Sequence, residues 1–222
     1  MGVSIIIPTL NAEAGLPSTL QSIASAEEII VADGGSQDAT LRLAGASGAR
    51  IVETARGRGR QMHAGVEAAT QDWLLFLHGD TTLAADWRTH VDAHGREPNA
   101  IEAAATFRFK LDDASWQARA LEALVALRVF LFALPYGDQG LLIHRDLYAA
   151  LGGFRPLPLM EDVDFIRRIG RRRLRTLPCA AKTSSRRWRA DGWVTRSARN
   201  LACLTMFSAG APIERIARFY ER

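Results

Sequence analysis

Along residues 1–80, continuous apolar runs alternate with stretches of helical periodicity. Residues 4–7, 29–32, Arg50–Glu53 and 73–77 read as short strands. Between them, Leu16, Leu20 and Ile23 recur at helical spacing, with Pro17 suited to a first helical turn. Ser36 stands where it can cap a second helix whose Leu43 and Ala44 face the core, and Met62, Val66 and Ala69 mark one face of a third. Four strands alternating with helices predict parallel pairing, with helices on both faces of a buried sheet. Ligands collect at the carboxyl ends of such strands. The polar tails there are Pro8-Thr9-Leu10-Asn11, Asp33-Gly34-Gly35-Ser36 and His78-Gly79-Asp80.

The second half is less regular. Residues 103–109, 140–143 and 174–177 read as strands, and Trp116–Phe132 as a long, mostly apolar helix. A short helix runs up to Gly152-Gly153. Glu161–Ile169 is a helix with acidic residues in its first turn, favourable beside the helix dipole. Residues 197–207 and Ile213–Tyr220 are helical, separated by Gly210 and Pro212. They carry Leu201, Leu204 and Phe207, then Ile213, Ile216 and Phe219, which fits a docked amphipathic tail or a monolayer contact. His90 and His94 fall on an expected exposed helix and, with His144, look incidental to function.

A chain of 222 residues, 48% hydrophobic and 23% charged, suits one globular domain with a substantial core. Pro8 ends the apolar run at 5–7 and no basic region precedes it, so a buried strand is expected there, not a signal peptide. Glu122 and Arg128 interrupt the stretch 120–134, which falls short of the roughly 20 apolar residues that span a bilayer. It reads as an amphipathic or buried helix, with a peripheral membrane contact left open. Cys179 and Cys203 fit no metal spacing and read as reduced thiols of a cytoplasmic protein. The net charge of +4 is unevenly placed: Arg167, Arg168, Arg171, Arg172, Arg173 and Arg175 cluster, followed by Arg186, Arg187 and Arg189. Such a run is a solvated face, or an attraction to anionic lipid at the inner face of the membrane or to a phosphorylated substrate. No aromatic-rich strand motif accompanies it, so nucleic acid is not an expected partner.

Three places carry candidate chemistry. Asp33 closes an apolar strand before two glycines, which let backbone approach a ligand. Its carboxylate can accept from a base N–H or a ribose hydroxyl, or simply hold its own turn. His78-Gly79-Asp80 closes another strand. A carboxylate there suits Mg²⁺ or Mn²⁺, hard cations that bridge phosphates and neutralise a leaving diphosphate. His78 can ligate the metal, bond a phosphate or orient Asp80. Glu161-Asp162, with Asp164 close by, can supply a general base near a substrate hydroxyl, or is ordinary acidic enrichment of a first turn.

In order, Ile-Ile-Pro-Thr-Leu-Asn, Val-Ala-Asp-Gly-Gly-Ser with Asp38 two residues on, Leu-Phe-Leu-His-Gly-Asp-Thr and Met-Glu-Asp-Val-Asp-Phe resemble family-2 glycosyltransferases of GT-A fold, from about Ser4 to about Ile169. Gly-Arg-Gly-Arg-Gln-Met at 57–62 and Gly-Asp-Gln-Gly at 137–140 resemble a bacterial subgroup of that family. The resemblance implies an α/β fold with a mostly parallel central sheet flanked by helices. Residues 1–195 would form the transferase domain, 1–80 its nucleotide-binding half and 81–195 its acceptor half. Residues 196–222 would be amphipathic helices packed on the domain or at a membrane surface. Thr9, Glu13 and Asp33 would hold the nucleoside, with Pro8 and Gly34 beside them. Asp80 would contact metal and ribose or diphosphate, and Asp162 would be the base, with Glu161 its neighbour. The family inverts the anomeric centre in a single displacement. The implied donor is a nucleotide diphosphate sugar, uridine being the commonest base. The implied cofactor is Mn²⁺ or Mg²⁺, and the acceptor is a hydroxyl on a small or lipid-linked molecule.

The chain departs from the family pattern in three places. His78 stands where the first Asp-x-Asp carboxylate usually is. Arg58, Arg60, Gln61 and His63 follow Gly57 where many members carry an asparagine; the two guanidiniums suit a diphosphate, or a solvated helix start. Arg186-Arg187-Trp188 resembles part of the Gln-x-x-Arg-Trp motif of processive members, but Ser184 occupies the glutamine position, so long polymer synthesis is not expected. Trp188 can stack on a sugar or pack in the core. Asp138 and Gln139 follow an abrupt Pro135-Tyr136-Gly137 turn and, with Arg187 and Trp188, are candidates for a donor-sugar or acceptor loop. A sugar nucleotidyltransferase is disfavoured because no Gly-x-Gly-x-Arg loop follows the first strand. A dehydrogenase is disfavoured because Pro8-Thr9-Leu10-Asn11 stands where its glycine loop should be. A non-catalytic nucleotide-sugar-binding module stays as the alternative from another class.

Overall fold

The computed structural model describes residues 1–220, so the last two residues of the segment drawn at 196–222 lie outside the described residues. β1 (Val3–Thr9), β2 (Glu28–Asp33), β3 (Arg50–Glu53) and β4 (Trp73–Phe76) pair in parallel. α1 (Leu16–Ser22), α2 (Thr40–Ala46) and α3 (Arg58–Ala68) connect them. Each strand lies within a residue or two of the apolar run that predicts it. β5 (Thr81–Leu83) and α4 (Trp87–Gly95) follow, then β6 (Ala104–Leu111), α5 (Trp116–Phe132), β7 (Leu141–His144) and α6 (Arg145–Ala150). α7 (Glu161–Ile169), β8 (Leu174–Thr183), α8 (Arg186–Asp191), α9 (Trp193–Ser208) and α10 (Ile213–Tyr220) complete the described residues. Among the described residues the strands form one eight-stranded sheet in the order β3-β2-β1-β4-β7-β6-β8-β5. The pairings of β1 with β2 and β4, of β2 with β3 and of β6 with β8 are parallel. β7 runs antiparallel to β4 and β6, and β5 antiparallel to β8.

Successive side chains of a strand point to opposite faces, so an apolar run in the sheet centre feeds two core layers. Ile5, Ile7 and Leu75 face α1 and α4, on Leu16, Leu20, Trp87 and Val91. Ile6, Leu74 and Phe76 face α3 and α7, on Met62, Val66, Phe165 and Ile166. Each fully buried side chain of this size contributes about 1.5–3 kcal/mol, which places the strands apolar on both faces in the middle of the sheet.

Four expectations are corrected. Ser36 does not cap α2. Its Oγ donates to Asp33 Oδ1 at 2.6 Å and accepts from the Asn11 amide at 2.8 Å, while Asp38 accepts the first-turn amide of Thr40 at 2.9 Å. His94 is not on an exposed face: it is 1% exposed, with its ring edge-on to Trp73 at 5.8 Å. The last strand does not stop at 177. Residues 181–183 pair with 109–111 on one side and with Thr81–Leu83 on the other, and this two-sided bonding carries β8 past Pro178. The boundary drawn after residue 195 falls inside α9.

The tail packs on the body. Cys203 and Ile216 are buried, and Leu204, Phe207 and Ile213 lie beside them against the layer that holds α3 and α7. Both cysteines are free and buried. No helix among the described residues is long and apolar enough to cross a membrane.

Candidate active site

β4 runs out into His78 and Asp80, which share the wall of a cleft with about 730 Å³ of empty space continuous with solvent. Arg58 opens α3 at the same wall, Asp162 lies in the first turn of α7, and Asp138 stands in the turn before β7. Arg187 and Trp188 reach the cleft from α8.

The β5–β8 pairing sets α8 beside Asp80. Thr81 opposes Thr183 with their hydroxyls 3.0 Å apart, and the Ser184 amide donates to the Asp80 carbonyl at 3.1 Å. On the other side Gly15 packs on the Asp80 backbone, where an added Cβ would sit 2.9 Å from Asp80 Cα.

Asp162 is held by backbone. Met160, the N-cap of α7, has φ 64°, a left-handed conformation that is costly for a residue with a side chain. It turns the chain so that Glu161 and Asp162 begin the helix at the cleft. Asp162 Oδ2 accepts the Gly137 amide at 2.8 Å and Oδ1 accepts the Val163 amide at 2.8 Å. Each oxygen keeps acceptor capacity for a substrate proton. Gly137 lies so near that an added Cβ would be 2.6 Å from His78 Nε2.

Glu161 is 1% exposed and meets Arg58 Nε at 2.6 Å. Burial pushes the Glu161 carboxyl up, and the guanidinium opposes it; direct contact keeps the pair ionised. Burial works against the Arg58 charge, yet Glu161 and Asp162 hold it more firmly protonated than usual. Burial and then the Arg58 charge lower His78 to about 4, against the pull of Asp80 and Asp162, so its imidazole is neutral at neutral pH. Burial raises Asp138 to about 6; Arg128 opposes this, while Asp162 and Asp80 add to it. Asp138 Oδ1 has no hydrogen-bond partner among the described residues.

Residues 4–155 match the pattern of Glycosyl transferase family 2. The chain belongs to this family. A PGL/p-HBAD biosynthesis glycosyltransferase of Mycobacterium tuberculosis is 44% identical over 91 residues, which are 36% of this chain and 36% of that protein. An uncharacterised glycosyltransferase of the same organism is 36% identical over 84 residues, 37% of this chain and 38% of that one. The matched stretch therefore spans little more than a third of the curated relatives. Among solved structures, glucosyl-3-phosphoglycerate synthase from Mycobacterium tuberculosis, in complex with Mn²⁺, UDP and glucosyl-3-phosphoglycerate, superposes with a TM-score of 0.66 at 22% identity. The match covers 95% of this chain and 81% of that one. S. aureus TarS 1-349 in complex with UDP-GlcNAc gives a TM-score of 0.60 at 16% identity, over 83% of this chain and 58% of that one. These likenesses show the fold, that of GT-A glycosyltransferases.

In this family-2 chain the cleft gathers Arg58, His78, Asp80, Asp138, Asp162, Arg187 and Trp188 from the expected set. Pro8 and Glu161 line a smaller pocket behind it, which shares His78, Gly137 and Asp162. Six expected residues do not reach either cavity. Asp33 is fully buried, and its carboxylate accepts from Thr9 Oγ, Ser36 Oγ and the amides of Gly35 and Ser36. Those four bonds occupy its lone-pair sites, so in this structure Asp33 supports the turn and lines neither cavity. Thr9 is 2% exposed and serves that turn, and the Gly34 amide donates to the Thr9 carbonyl at 2.9 Å. Glu13 accepts the Ala39 amide at 3.0 Å and so ties the loop after β1 to the start of α2. Arg60 is exposed and lines neither cavity. Gln139 is 2% exposed and donates to the Phe107 carbonyl at 3.0 Å, and so ties the turn to β6.

The cleft also holds Tyr136, Ser184, Arg196, Asn200 and Tyr220. Tyr136 had a signal in the abrupt turn at Pro135. Arg196, Asn200 and Tyr220 had none, because only packing of α9 and α10 brings them there.

Among the described residues no group of three or more His, Cys, Asp or Glu could hold a metal unaided. Asp80 and the neutral His78 offer an oxygen and a nitrogen donor. That set fits a divalent cation that takes its remaining ligands from substrate phosphates and water, and does not fit a resident all-protein cage.

Proposed function

We propose that this chain is an inverting glycosyltransferase that moves a sugar from a nucleotide diphosphate sugar, UDP the expected nucleotide, onto an acceptor hydroxyl. The observation that carries the reading is that Asp80 and Asp162, remote in sequence, line one cleft with Arg58 and Arg187. The two guanidiniums suit the diphosphate, since each can hold two oxygens. Glu161 fixes the Arg58 fork at 2.6 Å. Asp80 and His78 would hold a divalent metal. When bound, such a metal neutralises the charge on the departing diphosphate. Complexes of a fold relative with Mn²⁺ and UDP support this choice of nucleotide and ion.

Asp162 acts as the general base. The acceptor oxygen attacks the anomeric carbon, its proton passes to Asp162, and the bond to the diphosphate breaks on the opposite side with its electron pair leaving on the phosphate oxygen. The Gly137 amide keeps Asp162 oriented for that transfer. Trp188 offers a ring for a sugar, and Asp138 Oδ1, without another partner, suits a sugar hydroxyl. The acceptor itself is a small or lipid-linked molecule with a free hydroxyl.

The test is donor binding by thermal shift. UDP with Mn²⁺ raises the melting temperature, and Asp80→Ala weakens the rise. No shift with any nucleotide diphosphate, with or without metal, would sink the reading.

A further inference from the structure

The face of α5 turned away from the body is apolar and open. Trp116, Leu124, Leu127, Phe130 and Leu131 are 48% to 75% exposed. At about 100° per residue they share, with Ala120 and Ala123, one stripe roughly 120° wide that contains no charged residue. The opposite face packs through Ala118 and Val125 onto Phe109 and Leu111. An apolar surface of this kind marks an interaction site.

The charge beside the stripe names the partner. Arg171 donates to the carbonyls of Phe130 and Leu131 at 3.1 and 2.9 Å, so the turn Arg171–Arg173 is clamped to the end of the stripe. Arg172 and Arg173 are exposed and form no ion pair among the described residues.

We propose that α5 and the Arg171–Arg173 turn dock this protein on an anionic lipid surface. The helix lies in the interfacial plane, its apolar stripe in the headgroup–acyl boundary and its arginines on lipid phosphates. Trp116 at the start of α5 suits that boundary. The helix does not cross the bilayer. Docking also brings the cleft close to the lipid. The Arg128 guanidinium of α5 stacks 3.5 Å from the ring of Tyr136, a cleft residue, and Trp188 of the cleft packs in the same cluster as α5.

The test is co-sedimentation of the full chain with vesicles of phosphatidylcholine alone, or mixed equally with phosphatidylglycerol. The protein pellets with the anionic vesicles, less so as salt rises. Leu127→Glu with Phe130→Glu lowers the partition about tenfold or more, and Arg172→Glu with Arg173→Glu about tenfold. All four side chains are exposed, and an unchanged melting temperature verifies the fold of each variant. The proposal is overturned if the native chain does not pellet with anionic vesicles, if it pellets equally with both kinds, or if the stripe variant pellets like the native chain. It is also overturned by a solution dimer that Leu127→Glu splits. The UDP-induced thermal shift needs no lipid, so failure of the donor reading and failure of docking are read separately.

Discussion

The Gly137 amide donates to Asp162 Oδ2 at 2.8 Å, and the same glycine leaves no room for a side chain beside His78. Gly137→Ala would place a Cβ 2.6 Å from His78 Nε2 and 3.3 Å from Asp162 Oδ2. The turn, His78 or Asp162 must shift. A misplaced Asp162 costs about 10²-fold in turnover, and displacement of His78 also weakens the thermal shift with UDP and Mn²⁺. Asp162→Asn removes the proton acceptor itself and lowers kcat by about 10²–10⁴ with donor binding retained. Full activity in that variant would take Asp162 out of the mechanism.

Arg58 is the counterion of a buried carboxylate. Arg58→Met leaves Glu161, whose side chain is 2% exposed, without its partner. The expected loss is about 2 kcal/mol, below the usual cost for a fully buried pair because the Arg58 side chain is 38% exposed. Burial raises the carboxyl of Glu161, so the lone acid binds a proton in the fold before it does so in the unfolded chain. Stability of the variant therefore falls as pH rises above the ordinary carboxylate range. Chemical denaturation at mildly acidic and neutral pH checks this. Equal losses at both would contradict it.

Asp138 titrates at about 6 in the fold and at 3.8 as an ordinary side chain. Between those values the folded protein holds more protons than the unfolded one, so stability falls with rising pH across that window. Above pH 6 the cost is complete. Asp138→Asn relieves it, by about 3 kcal/mol near pH 8, and gives little below pH 4. Denaturant midpoints across the range measure the difference. A gain that does not depend on pH would rule out burial of this acid as its cause.

Asp33 supports its turn through four buried hydrogen bonds. Asp33→Ala strands the hydroxyls of Thr9 and Ser36 and two amides, with an expected loss of about 3 kcal/mol. A variant with native stability but no affinity for UDP would restore the direct nucleoside contact that the turn geometry disfavours.

The strands β1, β2 and β4 were legible because each carries an apolar run on both faces, which only a sheet covered on both sides can satisfy, while the edge strand β3 (Arg50–Glu53) is mostly exposed. The bounds of α7 were legible from its start signal, three acidic residues in the first turn, and those of α5 from its apolar run; the structure adds the Ser115 cap, which accepts the Ala118 amide at 3.3 Å. The polar strand end at His78 and Asp80 pointed to the cleft, because carboxyl ends of parallel strands converge on one rim. Asp33, on an equally polar end, turned inward, because Thr9 and Ser36 lie within reach of its oxygens and a local pattern does not report side-chain direction.

The chain alone determined the βα alternation, the family motifs and the charges that can meet a diphosphate, since these follow from residue type and short-range spacing. Tertiary structure decided which of those charges share a cavity. β5 is three residues long and carries no periodic signal, yet its pairing with β8 is what sets Arg187 and Trp188 beside Asp80. Packing of α9 and α10 alone brings Arg196, Asn200 and Tyr220 into the same cleft. The apolar pattern of α5 was visible from the outset, but a helix apolar on most sides does not say which side the body will cover. That choice fell to Phe109 and Leu111 of β6, and it left the other stripe facing out.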